Sequence, residues 1–431
     1  MATSAPPPSV TPSDPPALID VDEARRRVLA AFVPLTVVRV PLGDALGLTL
    51  AVDLVAGSQV PPFANAAMDG FAVRSADVTL AAVGRAVELR VVGEAPAGTA
   101  PDALVRPGEA VRIMTGAPTP PGADAVVRFE DTDELQWLDP NRGRTGGAIG
   151  IRTAVAVGEN VRLAGEDIAA GSTVLTAGTR LRPAELGLLA TLNRPVVSVH
   201  RRPRVAVLAT GDEVVDPGER MGPGQIRNAN GALVAGLIHR HGGESVMLGI
   251  ARDRPDDLRA RLLAVRDADL IVTTGGVSAG DYDLVKRVLQ QEGRIHLWQV
   301  RIKPGKPLAF GWLGETPLLG LPGNPVAAAV AFEQFARPAI ARMLGRPDSS
   351  IPTVPARLHG RIDNRGGRRH FARVSVRPEG ASFVATPAGG QGSGMLSTLV
   401  RANALLVIPE DVPVAEPGTV WPAQMLDWDI G

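Results

Sequence analysis

The sequence predicts a multidomain α/β plus β architecture: a β-rich module, an α/β domain built on a parallel sheet, and a small C-terminal β-barrel or sandwich. Three observations carry this expectation. The 431 residues allow two to four domains, each with its own core. Gly 48 and Pro 38 together make a fifth of the chain, against an average of about 12%, which favours many turns over a helical bundle. The local pattern also changes twice, near residue 200 and again after Arg346.

Taken in order, residues 1–20 are rich in Pro, Ser and Ala and lack a charged start followed by an apolar core, so they read as a flexible tail and not as a signal peptide. VDEARRRVLAAFVPL, with Asp20 or Asp22 as N-cap, reads as a helix that ends before Pro34. Between residues 52 and 157, short apolar runs such as AVELRVVG, EAVRIMTG and ADAVVRFED are punctuated by Gly and Pro, the pattern of short strands. DPNRGRTGGAIGIR at 139–152 reads as an exposed loop or hairpin within that module. From about residue 190 to 345, RVAVLATGDE, NGALVAGLIHRHGG, ADLIVTTGGVSAGD and PLLGLPGNPVAAAVAFEQFARPAIARML alternate buried strands, polar or Gly-rich turns and helices, which predicts a parallel sheet with crossover helices. Pro325, following Asn324, suits the first turn of the last helix. VPARLHGRI, HFARVSVRP, SFVATP and ALLVIPE after Arg346 are strands without a long helix.

Composition removes several functional classes. Forty-five basic and 45 acidic residues cancel, so no global field favours nucleic acid or an anionic membrane, and any anion must bind at a local site. Cys 0 excludes disulfides, thiolate metal sites and catalytic thiols. No apolar run reaches the length of a bilayer span; residues 326–332 stop at Glu333. The expected location is the cytoplasm. No GxGxxG, GxxxxGK[ST] or HExxH pattern occurs, and His239 and His241 lie two apart on a helix, so they face different ways.

Open parallel sheets bind ligands beyond the carboxyl ends of their strands. Residues 209–213 (ATGDE), 273–283 (TTGGVSAGDYD) and 321–325 (LPGNP) fall there. Gly275 and Gly276 permit close backbone approach, and their amides can cradle an oxyanion. Lysine occurs only at Lys286, Lys303 and Lys306, every other basic position being arginine; two of three lysines within RIKPGKPL point to a tetrahedral oxyanion or phosphate. Asp69, Asp167, Glu213, Asp253, Asp281 and Asp283 sit in turns, where carboxylates can hold Mg²⁺ together with substrate phosphates.

PPFANAAMDGFAV, RIMTGAPTPPGADAVV, GENVRLAGEDI, VLATGDEVV, TTGGVSAGDYD, RIKPGKPLAFG, GLPGNPVA and GQGSGMLSTLVRANALLVIP occur in this order. From about residue 17 to 425 the chain thereby resembles the molybdopterin molybdenumtransferases of the MoeA type, which are similar to the E domain of gephyrin. The resemblance implies a discontinuous linker domain (17–56 and 157–189), a β-rich domain inserted within it (57–156), an α/β molybdopterin-binding domain (190–345) and a C-terminal β-barrel (346–431). It implies an elongated homodimer whose site lies where the α/β and C-terminal domains meet the inserted domain of the other copy. The implied reaction inserts molybdenum from molybdate into adenylylated molybdopterin and releases AMP, with Mg²⁺ assisting; other molybdenum cofactor biosynthesis proteins are further implied partners. Carried over residue by residue, Lys303, Lys306 and Pro307 belong to the PGKP motif, with the lysines binding oxyanion or phosphate; Arg368 and Ser393 match the molybdate-contacting Arg and Ser. Gly275, Gly276 and Ser278 match substrate-binding positions. Asp69, Thr115, Asp167, Glu213, Asp253 and Asp283 match positions for metal binding and adenylate hydrolysis, with Glu213 and Asp253 as the metal pair.

Ala66, Phe71 and Ala327 stand where the family commonly has Ser, Tyr and Ser. The Ala327 departure removes one hydroxyl from the molybdate site. Two other readings follow from the same motifs: a non-catalytic scaffold, since gephyrin-type E domains also bind proteins, and a molybdopterin adenylyltransferase. A scaffold would not need Lys303, Lys306, Glu213 and Asp253 together.

Overall fold

A computed structural model describes residues 17–134, 141–265, 267–276, 293–346 and 350–427. They divide into two compact units, one made of Val52–Ala177 and Pro183–Val196, the other of Met1–Ala51, Gly178–Arg182 and Val197–Gly431. Residues 17–51, which the resemblance groups with 157–189, thus fall in the second of these. The tail 1–16, Ser278, Asp281, Asp283 and Lys286 lie outside the described residues.

The first unit centres on a five-stranded sheet in the order Ala148–Ile151, Val87–Ala95, Glu109–Ile113, Gly70–Val73, Ala125–Arg128. Side chains alternate across a strand, so Phe71 and Val73 join a core with Leu89, Val127 and Ile149 on one face, while Ala72 joins Val111, Ile113 and Val126 on the other. Burial of both faces explains why these runs look continuously apolar in sequence. Residue 70 has to be glycine, because a Cβ there would collide with the Val127 carbonyl of the adjacent strand. Within the 139–152 segment, residues 141–147 form turns that lead into Ala148–Ile151.

In the second unit a seven-stranded sheet runs Ala17–Ile19, Gly293–Val300, Pro307–Leu313, Thr316–Leu321, Leu270–Thr274, Arg204–Thr210, Glu244–Ala251. Its last four strands are parallel, as the alternating pattern predicts. The sheet continues as a mixed one, because the short connection after Leu313 can only return antiparallel. Helices Ala229–Arg240 and Pro255–Leu263 form the crossovers. Val205, Val207, Leu270 and Val272 face Val234 and Ile238 of the first helix. Ala206, Leu208 and Ile271 point the other way, against Leu258 and Leu262. Among the described residues no helix is long and apolar enough to cross a membrane.

Asp20 is the N-cap of helix Val21–Leu29, accepting from the Glu23 N–H at 2.7 Å. Val21, Ala24 and Val28 are its buried stripe. The helix packs beside a π-helical stretch Phe332–Ala336 and Arg337–Met343, which continue helix Pro325–Ala331. The register changes here, the Arg337 N–H reaching the Phe332 carbonyl five residues back, and Pro338 has no N–H to offer the Gln334 carbonyl. Arg25 donates there instead, Nε to the Gln334 carbonyl at 3.1 Å and a terminal nitrogen to its Oε1 at 2.6 Å. Arg25→Ala is therefore expected to lower stability by about 2 kcal/mol, read from urea unfolding, because it removes charge-assisted hydrogen bonds to acceptors of the buried Gln334.

The C-terminal strands resolve the choice between barrel and sandwich. Arg369–Glu379, Ser382–Pro387, Thr353–Leu358, Val420–Met425 and Ala404–Ile408 pair in a ring, which closes where Arg369–Glu379 meets Ala404–Ile408. Ala372, Val374 and Val376 alternate inward to meet Leu406 and Leu358.

Candidate functional site

A cavity of about 570 Å³ opens at the carboxyl ends of the parallel strands. Three strand ends form its floor: Thr210 and Gly211 after Arg204–Thr210, Gly275 and Gly276 after Leu270–Thr274, and Pro322, Gly323 and Asn324 after Thr316–Leu321. The glycines let these turns crowd together. Gly275 has φ +87°, and a Cβ on it would sit 2.9 Å from Thr210 Oγ1; Gly323 lies against the Gly275 backbone. No side chain therefore intervenes between this backbone and a ligand.

Glu213 and Asp253 border the cavity, and the Glu213 carboxylate is folded over Gly211, which leaves no room for a Cβ there. The Asp253 N–H is held by Asp212 Oδ1 at 3.1 Å. Lys306 and Pro307 line the same space, as does Ser393 from the C-terminal segment. Ser393 is tied to the start of helix Pro325–Ala331: its carbonyl accepts from the Val326 N–H at 3.1 Å, and its Oγ accepts from Asn324 Nδ2 at 3.0 Å. Asn324 precedes Pro325 as expected, yet its side chain makes no cap and is committed to Ser393 instead.

Lys303 and Arg368 form a second cationic group. Ile302–Lys303 runs parallel to Arg369–His370, and Lys303 Nζ donates to the Asp363 carbonyl at 2.9 Å. Burial and the nearby guanidiniums of Arg368 and Arg373 push the Lys303 ammonium below the usual lysine value, against the pull of Asp363. His370 is fully buried, and neither ring nitrogen has a hydrogen-bond partner among the described residues. Burial first, then Lys303, Arg373 and Arg368, lower its pKa to about 3, so it is neutral at physiological pH.

The structure thus brings Glu213, Asp253, Gly275, Gly276, Lys306, Pro307 and Ser393 around one cavity, while Lys303 and Arg368, in the second cationic group, are not among its lining residues. Asp69, Thr115 and Asp167 belong to the other unit. There Asp69 Oδ1 accepts from both the N–H and the hydroxyl of Thr115, at 2.7 Å each, and these bonds hold its carboxyl below the usual range. Asp167 stands in an exposed turn whose N–H donates to the Val60 carbonyl. Among the described residues no three His, Asp or Glu side chains converge as a metal cluster.

Sequence reasoning overlooked Asn228 and Asn230. Asn228 caps helix Ala229–Arg240, accepting from the Gly231 N–H at 2.9 Å, and Asn230 Nδ2 donates to the Gly323 carbonyl at 2.7 Å, which joins two rims of the cavity. The signal was the RNANG segment opening a helix after a turn. His370 and Arg373 were also missed. Ala327, at the departure from the common serine, lines the cavity with a methyl group.

Three family models match the chain: the MoeA N-terminal region (domain I and II) over 19–193, the probable molybdopterin binding domain over 206–342, and the MoeA C-terminal region (domain IV) over 355–426. A Mycobacterium tuberculosis protein named molybdopterin molybdenumtransferase 2 is 38% identical over 420 residues, covering 95% of this chain and 99% of that one. A Nostoc protein named molybdopterin molybdenumtransferase is 38% identical over 377 residues, covering 86% and 84%. Among solved structures, the molybdopterin biosynthesis MoeA protein of Pyrococcus horikoshii superposes with a TM-score of 0.77 at 33% identity, covering 95% of this chain and 99% of that one.

Proposed function

The chain belongs to the molybdopterin molybdenumtransferases of the MoeA type, and from that premise we propose that it inserts molybdenum from molybdate into adenylylated molybdopterin and releases AMP. The observation that carries the proposal is the composition of one cavity: open glycine backbone, the carboxylates of Glu213 and Asp253, and the donors Lys306 and Ser393. Molybdate is a dianion that must approach an anionic phosphorylated substrate. Fixed cations near the cavity offset that repulsion without reorganising during the reaction.

In this reading the amides of Gly275 and Gly276 hold substrate oxyanion oxygens, and Lys306 and Ser393 hold molybdate while the two dithiolene thiols replace an oxo group, which leaves as water carrying both thiol protons. Lys303 and Arg368 add positive potential next to them. Glu213 and Asp253 are hard oxygen donors, and two carboxylates are what Mg²⁺ takes when substrate phosphates complete its shell, so the pair fits that ion. When bound there, it would neutralise charge on the phosphates. A homodimer in the cytoplasm is part of the proposal, with Asp69, Thr115 and Asp167 supplied by a second copy; full activity in a species that sediments as a single chain would sink that part.

The test is AMP release from adenylylated molybdopterin by the purified chain. Release that requires both molybdate and Mg²⁺ is expected. A folded protein that releases no AMP under any condition would return the weight to a scaffold. Adenylyl transfer from ATP to molybdopterin would instead make it an adenylyltransferase.

A further inference from the structure

Arg373, on strand Arg369–Glu379, is fully buried, yet among the described residues every hydrogen bond its guanidinium makes goes to a neutral oxygen. Nε donates to Thr398 Oγ1 at 3.0 Å, Nη1 to the Gln391 carbonyl at 3.3 Å, and Nη2 to the carbonyls of Gly390 and Gly392 at 3.0 Å each. The grip is mutual: Gln391 Oε1 accepts from the Arg373 N–H at 2.9 Å, and Gln391 Nε2 donates to the Arg373 carbonyl at 3.1 Å. Five of these hydrogen bonds therefore secure a glycine-rich loop that has no regular structure of its own, and the sixth ties Arg373 to Thr398 of the short helix Ser397–Val400. The residue that follows Gly392 is Ser393, which enters the cavity.

Geometry gives each guanidinium nitrogen an acceptor but leaves the charge uncompensated. Burial draws the Arg373 pKa down to about 10, which still leaves it charged at neutral pH. A buried ion is ordinarily stable only beside a counter-charge. Among the described residues no carboxylate pairs with Arg373, and its charged neighbours Lys303 and Arg368 have the same sign. Three cations gathered without a matching number of carboxylates make a place where an anion is the missing component.

We propose that Arg373 is a positioning residue for the oxyanion end of the site, fixing the 389–393 loop so that Ser393 meets molybdate and contributing buried positive charge that the bound oxyanion balances. Arg373 itself touches no reacting atom. This inference rests on the molybdenum-transfer reading.

The experiment compares the full-length chain with Arg373→Gln and Arg373→Lys, measuring KM for molybdate and for adenylylated molybdopterin separately, with circular dichroism as the check on folding. In Arg373→Gln the molybdate KM is expected to rise about tenfold while the KM for adenylylated molybdopterin stays within twofold. Arg373→Lys restores the charge without the fork and recovers part of the loss. Mere destabilisation would lower kcat through the active fraction and leave the molybdate KM alone. If Arg373→Gln does not fold, Gln391→Ala loosens the loop with the guanidinium intact, and a rise of about threefold in molybdate KM is expected. An unchanged molybdate KM in the folded variant, or an equal rise in both KM values, overturns the inference. A wild-type chain that neither binds nor uses molybdate would instead overturn the functional reading itself.

Discussion

Lys306→Ala lowers molybdate-dependent AMP release by about 100-fold, the scale typical of removing one preorganised donor from a developing or bound oxyanion. The side chain lines the cavity between Gly305 and Pro307. Gly305 adopts φ +102° and packs against Pro322 and Ala327, so this turn is fixed by glycine and proline and not by the lysine. The substitution should therefore leave the fold intact, and circular dichroism and the urea midpoint should match wild type. Lys306→Arg keeps the charge but replaces a compact ammonium with a planar fork, so partial activity is expected. Wild-type turnover in the alanine variant would remove Lys306 from the chemistry.

Acid should destabilise the chain through His370. The folded-state pKa, about 3, lies below the ordinary histidine value of 6.5, so between those two values the unfolded chain binds a proton that the folded chain does not. Stability then falls as pH drops below 6.5 and is fully present above it. The slope approaches ~1.4 kcal/mol per pH unit inside the window, giving about 2 kcal/mol lost between pH 7 and pH 5. The cause is burial among cations: protonation would add a fourth positive charge to Lys303, Arg368 and Arg373 with no acceptor for either N–H among the described residues. Urea unfolding at pH 7 and pH 5 tests this against His370→Gln, which should show a shallower dependence. Equal slopes in the two proteins would reject it.

Much of the fold was legible because the strands obey simple periodicity. Residues 205–209 and 270–272 are apolar on both faces, and both faces are covered by helices or strands. The extension of the parallel sheet by antiparallel strands was harder to read, since it depends on the two-residue connection between Leu313 and Thr316. The edge strand Ala17–Ile19 was invisible: three residues carry no period, and their partner Gly293–Val300 lies far along the chain. At the site, the glycine turns and the lysine pair stood out by type and spacing. Asn230 and Arg373 did not, because their importance comes from which carbonyls they reach, Gly323 in one case and residues 390–392 in the other. Such partnerships are tertiary facts with no local signature.

Pro338 and Arg25 imply a rule for how this sequence can diverge. With the proline in place, the guanidinium of the first helix stands in for an amide hydrogen that the backbone cannot provide. A relative with any other residue at position 338 regains that hydrogen and relaxes the demand on position 25. The two sites, 313 residues apart, should therefore covary, arginine persisting where proline persists and drifting where it is lost. The two substitutions should be non-additive as well, Arg25→Ala costing less in a Pro338→Ala background than in the parent chain.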